Sequence, residues 1–295
     1  MKALLSTMRP SQWVKNLVVF AGLIFSKSVL DSQMALTACL AFVLFCALSG
    51  SVYIINDLLD IEADRRHPRK KTRALAAGRL SPATALAVAL VTAVGSLWVS
   101  FLILGTTFGL VSGTYFLLNL AYSFWLKQKV LLDVLSIAVG FVLRAIAGVE
   151  ALKSVDPEVI LSPWLLVCTL FLSLLLALGK RRHELRLLET GAFEHRRSLE
   201  DYSDDLLNQL IAVVTASTAI AYSIYTIWPG TVEKFHTRNL IYTVPFVVYG
   251  LFRYLYLIWR KDEGGNPSEL VVSDLPLALD ILLWLLVVGL VLYRF

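Results

Sequence analysis

Long apolar stretches alternate with polar segments along the whole chain. A helix needs about 20 apolar residues to cross a bilayer, and most of these stretches approach that length. The pattern predicts an all-α integral membrane protein of about nine transmembrane helices, which cover residues 14–30, 35–57, 83–103, 107–126, 131–151, 160–179, 206–228, 240–259 and 275–293. The first span is short, so we expect it to tilt or to lie partly at the membrane surface.

Composition supports this class of protein. Hydrophobic residues make up 57% of the chain and charged residues 17%, which is too apolar for a soluble domain. The three cysteines fall inside apolar stretches and the four histidines are scattered, which argues against a disulfide framework and against a zinc site. We expect one transmembrane domain over 1–295 and no nucleic-acid partner.

Most lysines and arginines fall in alternate connecting segments. They concentrate in the N-terminal segment, in the short connection at 127–129 and in three long polar loops at 58–82, 180–205 and 260–274. Because such residues are enriched in cytoplasmic loops, we expect a multi-pass protein of the bacterial inner (plasma) membrane. Its N-terminus and active site would then be cytoplasmic, and with nine spans its C-terminus would lie outside.

Three aspartates cluster at the cytoplasmic end of the second predicted span. Asp57, Asp60 and Asp64 follow one another at i, i+3 and i+7, a spacing that places them on one helical face. Clustered anions repel each other unless a cation lies among them, and carboxylate oxygens suit Mg²⁺. An ordinary solvated helix end could look the same, but carboxylates at membrane depth tend to be functional. The spacing therefore predicts a magnesium site.

The loop that follows, residues 65–73, is strongly basic. The preference for positive charge in the cytoplasm alone explains most of it, and capture of phosphate groups beside the metal is a second explanation. For phosphate binding we single out Lys70 and Arg73.

Further polar residues lie at the ends of later spans. Tyr122 and Lys127 stand at one helix end, and Asp133 opens the next helix. Arg144 follows Asp133 after about three helical turns, so both should point the same way. A charge inside a span should face a polar cavity, and a structural ion pair with a neighbouring helix is the alternative.

A third cluster follows the sixth predicted span. Lys180 and Glu184 share a helical face at i, i+4, and Arg197 lies in the polar loop beyond. Asp201 and Asp205 have the spacing D-x-x-x-D, which fits either a metal motif or the start of a helix.

The motif N-D-x-x-D-x-x-x-D at 56–64, followed by His-Pro and then Ala-Ala-Gly at 76–78, resembles the first signature of the UbiA superfamily of intramembrane prenyltransferases. This resemblance covers nearly the whole chain. It implies nine helices around a polar cavity that faces the cytoplasm.

Other segments are similar to one branch of that superfamily, the decaprenyl-phosphate phosphoribosyltransferases. They are Arg9-Pro10-x-Gln12-Trp13-x-Lys15-Asn16, Tyr122-Ser123 with Lys127 and Asp133-Val134, the glycine-rich stretch 140–148, Gly179-Lys180-Arg181-x-x-Glu184-Leu185 and Arg197-x-Leu199-Glu200-x-Tyr202. Aromatic prenyltransferases of the superfamily carry a second aspartate-rich motif where this chain has a mostly cationic block at 180–184. A cationic surface is better suited to two phosphorylated substrates than to one diphosphate and a neutral aromatic ring.

The resemblance implies transfer of 5-phosphoribosyl from phosphoribosyl pyrophosphate (PRPP) to a polyprenyl (decaprenyl) monophosphate, with release of pyrophosphate. It implies Mg²⁺ held by Asp57, Asp60 and Asp64, with Asn56 binding the sugar or a ligand carboxylate. The remaining residues implied in substrate binding are Lys15, Lys70, Arg73, Tyr122, Lys127, Asp133, Arg144, Lys180, Glu184 and Arg197.

Two alternatives stay open from the sequence. One is prenyl transfer from a polyprenyl diphosphate to an aromatic acceptor. The other is a transporter or lipid-binding protein without chemistry, although the chain has no internal repeat of the kind found in transporters. The lipid chain length, the pathway that uses the product and a homo-oligomeric state are not decided by the sequence.

Overall fold

The computed structural model describes residues 2–66, 70–189, 197–261 and 264–293. Throughout these ranges the regular elements are helices and no strand occurs. The α-helices are α1 (Lys2–Thr7), α2 (Ala21–Phe25), α3 (Ser32–Leu59), α4 (Ile61–Arg66), α5 (Pro82–Ile103), α6 (Thr106–Phe124), α7 (Leu132–Lys153), α8 (Pro163–Glu189), α9 (Asp204–Ile227), α10 (Pro229–Phe235), α11 (Val244–Arg260), α12 (Pro267–Ser273) and α13 (Leu275–Tyr293). Short 3₁₀ helices occupy Pro10–Phe20, Lys70–Thr72, Leu126–Gln128, Arg197–Leu199 and Asn239–Thr243.

Seven helical segments in the described part of the chain are long and apolar enough to cross a membrane. They are Ser32–Leu59, Pro82–Ile103, Leu132–Lys153, Pro163–Leu187, Asp204–Ile227, Asn239–Arg260 and Leu275–Tyr293. The all-α membrane class is thus confirmed, and each segment overlaps a predicted span. The other two predicted spans are also helical. The first consists of the 3₁₀ helix Pro10–Phe20 followed by α2. The other is α6, which contains polar residues such as Tyr115 and Asn119. The count of nine stays a prediction.

The chain divides into two compact units. One comprises Met1–Lys127 and Gly140–Leu161, and the other comprises Gln128–Val139 and Ser162–Phe295. Each unit has its own buried apolar core. The expectation of one domain over 1–295 stays a prediction.

In the first unit, α3 packs along α5 and α6. Phe45 of α3 contacts the rings of Phe108 and Tyr115 at centroid distances of 6.0 and 5.1 Å, within the range favourable for aromatic pairs. The 3₁₀ helix Pro10–Phe20 lies against α3 and against the part of α7 from Gly140 onward, which belongs to the same unit. There Gly148 approaches the backbone of Val19 so closely that a Cβ would lie 2.0 Å from its carbonyl oxygen.

In the second unit, α8 packs along α9, and α11 packs against α9 and α13. Ser203 caps α9 by accepting a hydrogen bond from the backbone N–H of Leu206, as serine does at helix N-termini. Asp204 and Asp205 lie in the first turn of α9, where negative charge is favourable. The structure thus places Asp205 at a helix start, one of the two interpretations that the sequence left open.

Candidate active site

The aspartate cluster lies where α3 ends and α4 begins. α3 stops at Leu59, Asp60 forms the turn, and the helical path continues because the N–H of Asp64 donates to the carbonyl of Asp60 at 2.8 Å. Asp57 and Asp64 are each only 3% exposed, whereas the Asp60 side chain is 32% exposed. The i, i+7 pair therefore faces the interior of this unit, and Asp60 faces its more open side.

Arg73 joins the two buried carboxylates. Its Nη1 donates to Asp57 Oδ1 at 3.0 Å and to Asp64 Oδ2 at 2.7 Å. The 3₁₀ turn Lys70–Thr72 positions it, since the N–H of Arg73 donates to the carbonyl of Lys70 at 2.9 Å. Buried carboxylates need such compensation because isolated buried charges are costly.

Arg9 is a second cationic partner of Asp57. Its guanidinium also lies 5.0 Å from the ring centroid of Tyr53, a cation–π contact. Arg9 has a left-handed backbone with φ of 52° at the start of the first 3₁₀ helix, a conformation that non-glycine residues seldom adopt. This uncommon backbone conformation thus occurs at the residue whose guanidinium pairs with Asp57.

Lys127 pairs with the third aspartate. It lies in the 3₁₀ turn after α6, and its Nζ is 3.1 and 3.4 Å from the two carboxylate oxygens of Asp60. Both side chains are partly exposed, so this pair is open to an incoming anion. The structure thus brings together five predicted site residues of the first unit: three aspartates, Asp57, Asp60 and Asp64, and two counterions, Arg73 and Lys127.

Arg144 is buried in α7 with hydrogen bonds to the protein itself. Its Nε donates to Asn16 Oδ1 at 2.8 Å, its Nη1 to the carbonyl of Gly140 at 3.0 Å and its Nη2 to the hydroxyl of Tyr115 at 2.7 Å. Asn16 in turn donates to Ser49 at 3.2 Å. Among the described residues these partners of Arg144 are neutral groups and not the ion-pair partner considered from the sequence, and through Asn16 the network braces the first 3₁₀ helix.

The other predicted residues of the first unit lie on nearby elements. Asn56 is in α3, and its carbonyl accepts the N–H of Asp60 at 3.1 Å. Lys15 lies in the first 3₁₀ helix, Lys70 in the turn before Arg73, and Tyr122 near the end of α6. Their roles in substrate binding stay predictions.

The second unit contains a separate buried network around Asp133. This carboxylate is 0% exposed and accepts from Arg181 Nε at 2.6 Å and from the hydroxyl of Tyr202 at 2.8 Å. The Tyr202 hydroxyl also accepts the N–H of Leu131 at 2.9 Å. Burial, and then the neighbouring charge of Asp133, raises the pKa of Tyr202, so the phenol stays neutral and serves as a donor.

Lys180 and Glu184 lie at the edge of that network. Arg181 bridges Asp133 and Glu184, and Lys180 Nζ lies 3.8 Å from Glu184 Oε1. The side chains of Lys180 and Glu184 are 44% and 27% exposed, so they are the accessible members of the cluster. The side chain of Arg197 lies outside the described residues.

Only part of this arrangement, the aspartate cluster at 57–64, is suited to hold a metal ion. Among the described residues, no group of three or more His, Cys, Asp or Glu side chains is gathered as a ligand cage. Asp57 and Asp64 nevertheless converge on a single positively charged group, and Mg²⁺ is commonly held by one or two carboxylates together with substrate phosphates. The donor set fits a magnesium ion of that kind.

Comparison with known proteins identifies the family. The profile of the UbiA prenyltransferase family matches residues 16–273. The chain belongs to this family. The membership confirms the resemblance seen in the sequence motifs at 56–64 and 76–78.

Two relatives are similar to this protein over nearly the full chain. The decaprenyl-phosphate phosphoribosyltransferase of Mycolicibacterium smegmatis is 33% identical, over 98% of this chain and 92% of that protein. The enzyme of that name from Corynebacterium glutamicum is also 33% identical, over 98% of this chain and 86% of its own length. A UbiA homolog from Archaeoglobus fulgidus bound to GPP and Mg²⁺ shares the fold, with a TM-score of 0.72, 17% identity and coverage of 98% and 99%.

Some residues of these networks have contacts that the sequence pattern did not assign. Arg9 and Asn16 lie in the opening motif, and Arg181 lies in the cationic block after the sixth predicted span. The one indication of their importance in the sequence is that they lie in segments that resemble one branch of the UbiA family. Their partners Asp57, Arg144 and Asp133 are distant in sequence, so spacing could not identify them.

Proposed function

We propose that this chain transfers the 5-phosphoribosyl group of PRPP to a polyprenyl monophosphate and releases pyrophosphate. The acceptor that we propose is decaprenyl phosphate. The observation that carries the proposal is the 33% identity, over nearly the whole of both chains, to two proteins named decaprenyl-phosphate phosphoribosyltransferase. The cations paired with the aspartate cluster support it, because both substrates carry phosphate groups.

Asp57 and Asp64, with Asp60, are the residues that would hold Mg²⁺. When bound, the ion would neutralise the negative charge that develops on the departing pyrophosphate. Asp57 and Asp64 suit this task because they are buried and fixed by the end of α3 and by α4. Asp60 is the more exposed of the three, and is the one that a bound substrate would reach most easily.

The remaining chemistry requires positioning more than proton transfer. The phosphate oxygen of the lipid is already an anion at neutral pH, so it can attack C1 of the ribose without a strong general base. The new bond joins that oxygen to C1, and the bond from C1 to pyrophosphate breaks. Arg9, Arg73 and Lys127 would stabilise the charge on the leaving group through charge-assisted hydrogen bonds.

A comparison of donor and acceptor pairs tests the proposal. The purified full chain in detergent would receive radiolabelled PRPP with decaprenyl phosphate in one arm, and a polyprenyl diphosphate with 4-hydroxybenzoate in the other. We expect a labelled lipid product in the first arm alone. A product in the second arm alone would replace the proposal with aromatic prenyl transfer, and no product in either arm would favour a protein without chemistry.

A further inference from the structure

Arg73 occupies the position between two buried carboxylates that a metal ion would take. Its Nη1 lies 3.0 Å from Asp57 Oδ1 and 2.7 Å from Asp64 Oδ2. One guanidinium nitrogen has two hydrogens, so it donates to both carboxylates and offsets their mutual repulsion. A metal ion that binds the same two oxygens must displace this nitrogen.

The carboxylates and the guanidinium differ in their freedom to move. Asp57 and Asp64 are held in helices and are almost fully buried. Arg73 lies just after a short 3₁₀ turn, and its side chain is 27% exposed. Displacement would therefore move the arginine, and a guanidinium that leaves a carboxylate has a ready new partner in a phosphate group, which it can bind through two nitrogens.

We propose that Arg73 couples metal binding to diphosphate binding. Without metal, its guanidinium holds Asp57 and Asp64; when metal takes that place, the guanidinium binds a phosphate of the substrate. The inference rests on the metal site of the proposed function and adds a specific consequence. Metal alone binds weakly because Arg73 competes for the carboxylates, and a diphosphate strengthens metal binding because it gives Arg73 another anion.

Arg9 does not have the same position. Among the described residues it pairs with Asp57 and with no second carboxylate, and it lies over the ring of Tyr53. Arg9 shares Asp57 Oδ1 with Arg73, so a metal ion at that oxygen competes with both arginines, but Arg73 is the one that bridges Asp57 to Asp64. Arg65 is a matched control, because it follows Asp64 directly but pairs with Glu62 on the exposed side of α4. Competition for both carboxylates is thus assigned to Arg73, while competition from Arg9 at Asp57 is the same in the wild type and in Arg73→Gln.

Equilibrium dialysis of the full chain in detergent tests this coupling, with Mn²⁺ as the metal and inorganic pyrophosphate as the diphosphate. Both chambers share the same free Mn²⁺ and the same Mn²⁺–pyrophosphate complex, so the excess metal on the protein side is bound metal. In the wild type, pyrophosphate should raise the Mn²⁺ affinity about 10-fold or more, a usual size for coupling between two ligands.

Arg73→Gln should bind Mn²⁺ alone about 10-fold more tightly than the wild type, and pyrophosphate should then add less than about 3-fold. Arg65→Gln, which removes the same charge from the neighbouring segment, should behave as the wild type. As a second measurement, Arg73→Gln should have a lower melting temperature than the wild type in EDTA and a larger increase on addition of Mn²⁺.

The outcomes separate the coupling from the metal site. If Arg73→Gln binds Mn²⁺ no more tightly than the wild type, or keeps the full effect of pyrophosphate, the coupling is wrong while the metal site stands. If the wild type retains no Mn²⁺ with or without pyrophosphate, the proposed metal site is wrong, and the coupling falls with it.

Discussion

At the residue scale, each aspartate of the cluster at 57–64 forms an ion pair with an arginine or a lysine. Asp57→Asn and Asp60→Asn should each lower kcat by about 100-fold or more, because each removes an anionic ligand near the leaving group. Glu62→Gln is the control, since that side chain is 72% exposed on the same segment. Turnover of purified protein, with and without EDTA, measures the effect. Full activity of Asp57→Asn, or full activity in EDTA, would contradict the metal role.

Arg144 allows a second prediction at this scale. Because its three guanidinium nitrogens donate to Asn16, Gly140 and Tyr115, Arg144→Lys should lose at least one hydrogen bond to a buried charge, worth about 1.5–3 kcal/mol. Tyr115→Phe removes one acceptor and should cost less. Thermal unfolding in detergent measures both. An unchanged melting temperature in Arg144→Lys, together with a 10- to 1000-fold loss of catalytic efficiency of about the size seen for phosphate contacts, would favour direct phosphate binding.

The spacing of residues in the sequence predicted much of the candidate site, but it did not predict the ion pairs of the site. The i, i+7 relation of Asp57 and Asp64 survives the break at Asp60 because backbone hydrogen bonding continues through it. The contact from Lys127 to Asp60 joins residues far apart in sequence, and no periodicity encodes such a pairing. Arg144 was expected to face a polar cavity or an ion-pair partner, and its neutral partners became visible only in the fold.

At the element scale, the first 3₁₀ helix is held by close backbone contact with α7. A Cβ at Gly148 would lie 2.0 Å from the carbonyl oxygen of Val19, so Gly148→Ala should force the two elements apart at a cost of about 1–3 kcal/mol. Gly95→Ala in α5 is the matched control, because no atom beyond the adjoining turns of its own helix lies within 4 Å of its Cβ position. It should be neutral or slightly stabilising. Equal melting temperatures for the two variants would contradict this packing.

The long apolar helices were predictable because length and hydropathy alone define them. α3, α5 and α13 begin and end within a few residues of their predicted spans. The first span differs: it is a 3₁₀ helix followed by the short α2, because its geometry depends on contacts with Gly148 and on the network of Arg144 and Asn16. Hydropathy contains no information on either contact.

At the scale of the whole molecule, the distribution of positive charge predicts which side of the membrane each loop occupies. Single cysteines introduced at Glu62, Glu200 and Lys261, after replacement of the native cysteines, should react with a membrane-impermeant thiol reagent only from the cytoplasmic side. A cysteine at Glu158, between α7 and α8, should react only from the outside. Labelling of any of the first three from the outside alone would overturn the orientation.

The most direct measurement follows both products of the reaction at once. Purified protein with Mg²⁺, decaprenyl phosphate and PRPP should release pyrophosphate and form lipid-linked phosphoribose in equal amounts, as determined by a pyrophosphate assay and by mass spectrometry of the lipid extract. Both products should disappear when decaprenyl phosphate is omitted and when Asp57→Asn replaces the wild type. Release of pyrophosphate without lipid-linked phosphoribose, or a lipid product that Asp57→Asn forms at the wild-type rate, would contradict phosphoribosyl transfer at the aspartate cluster.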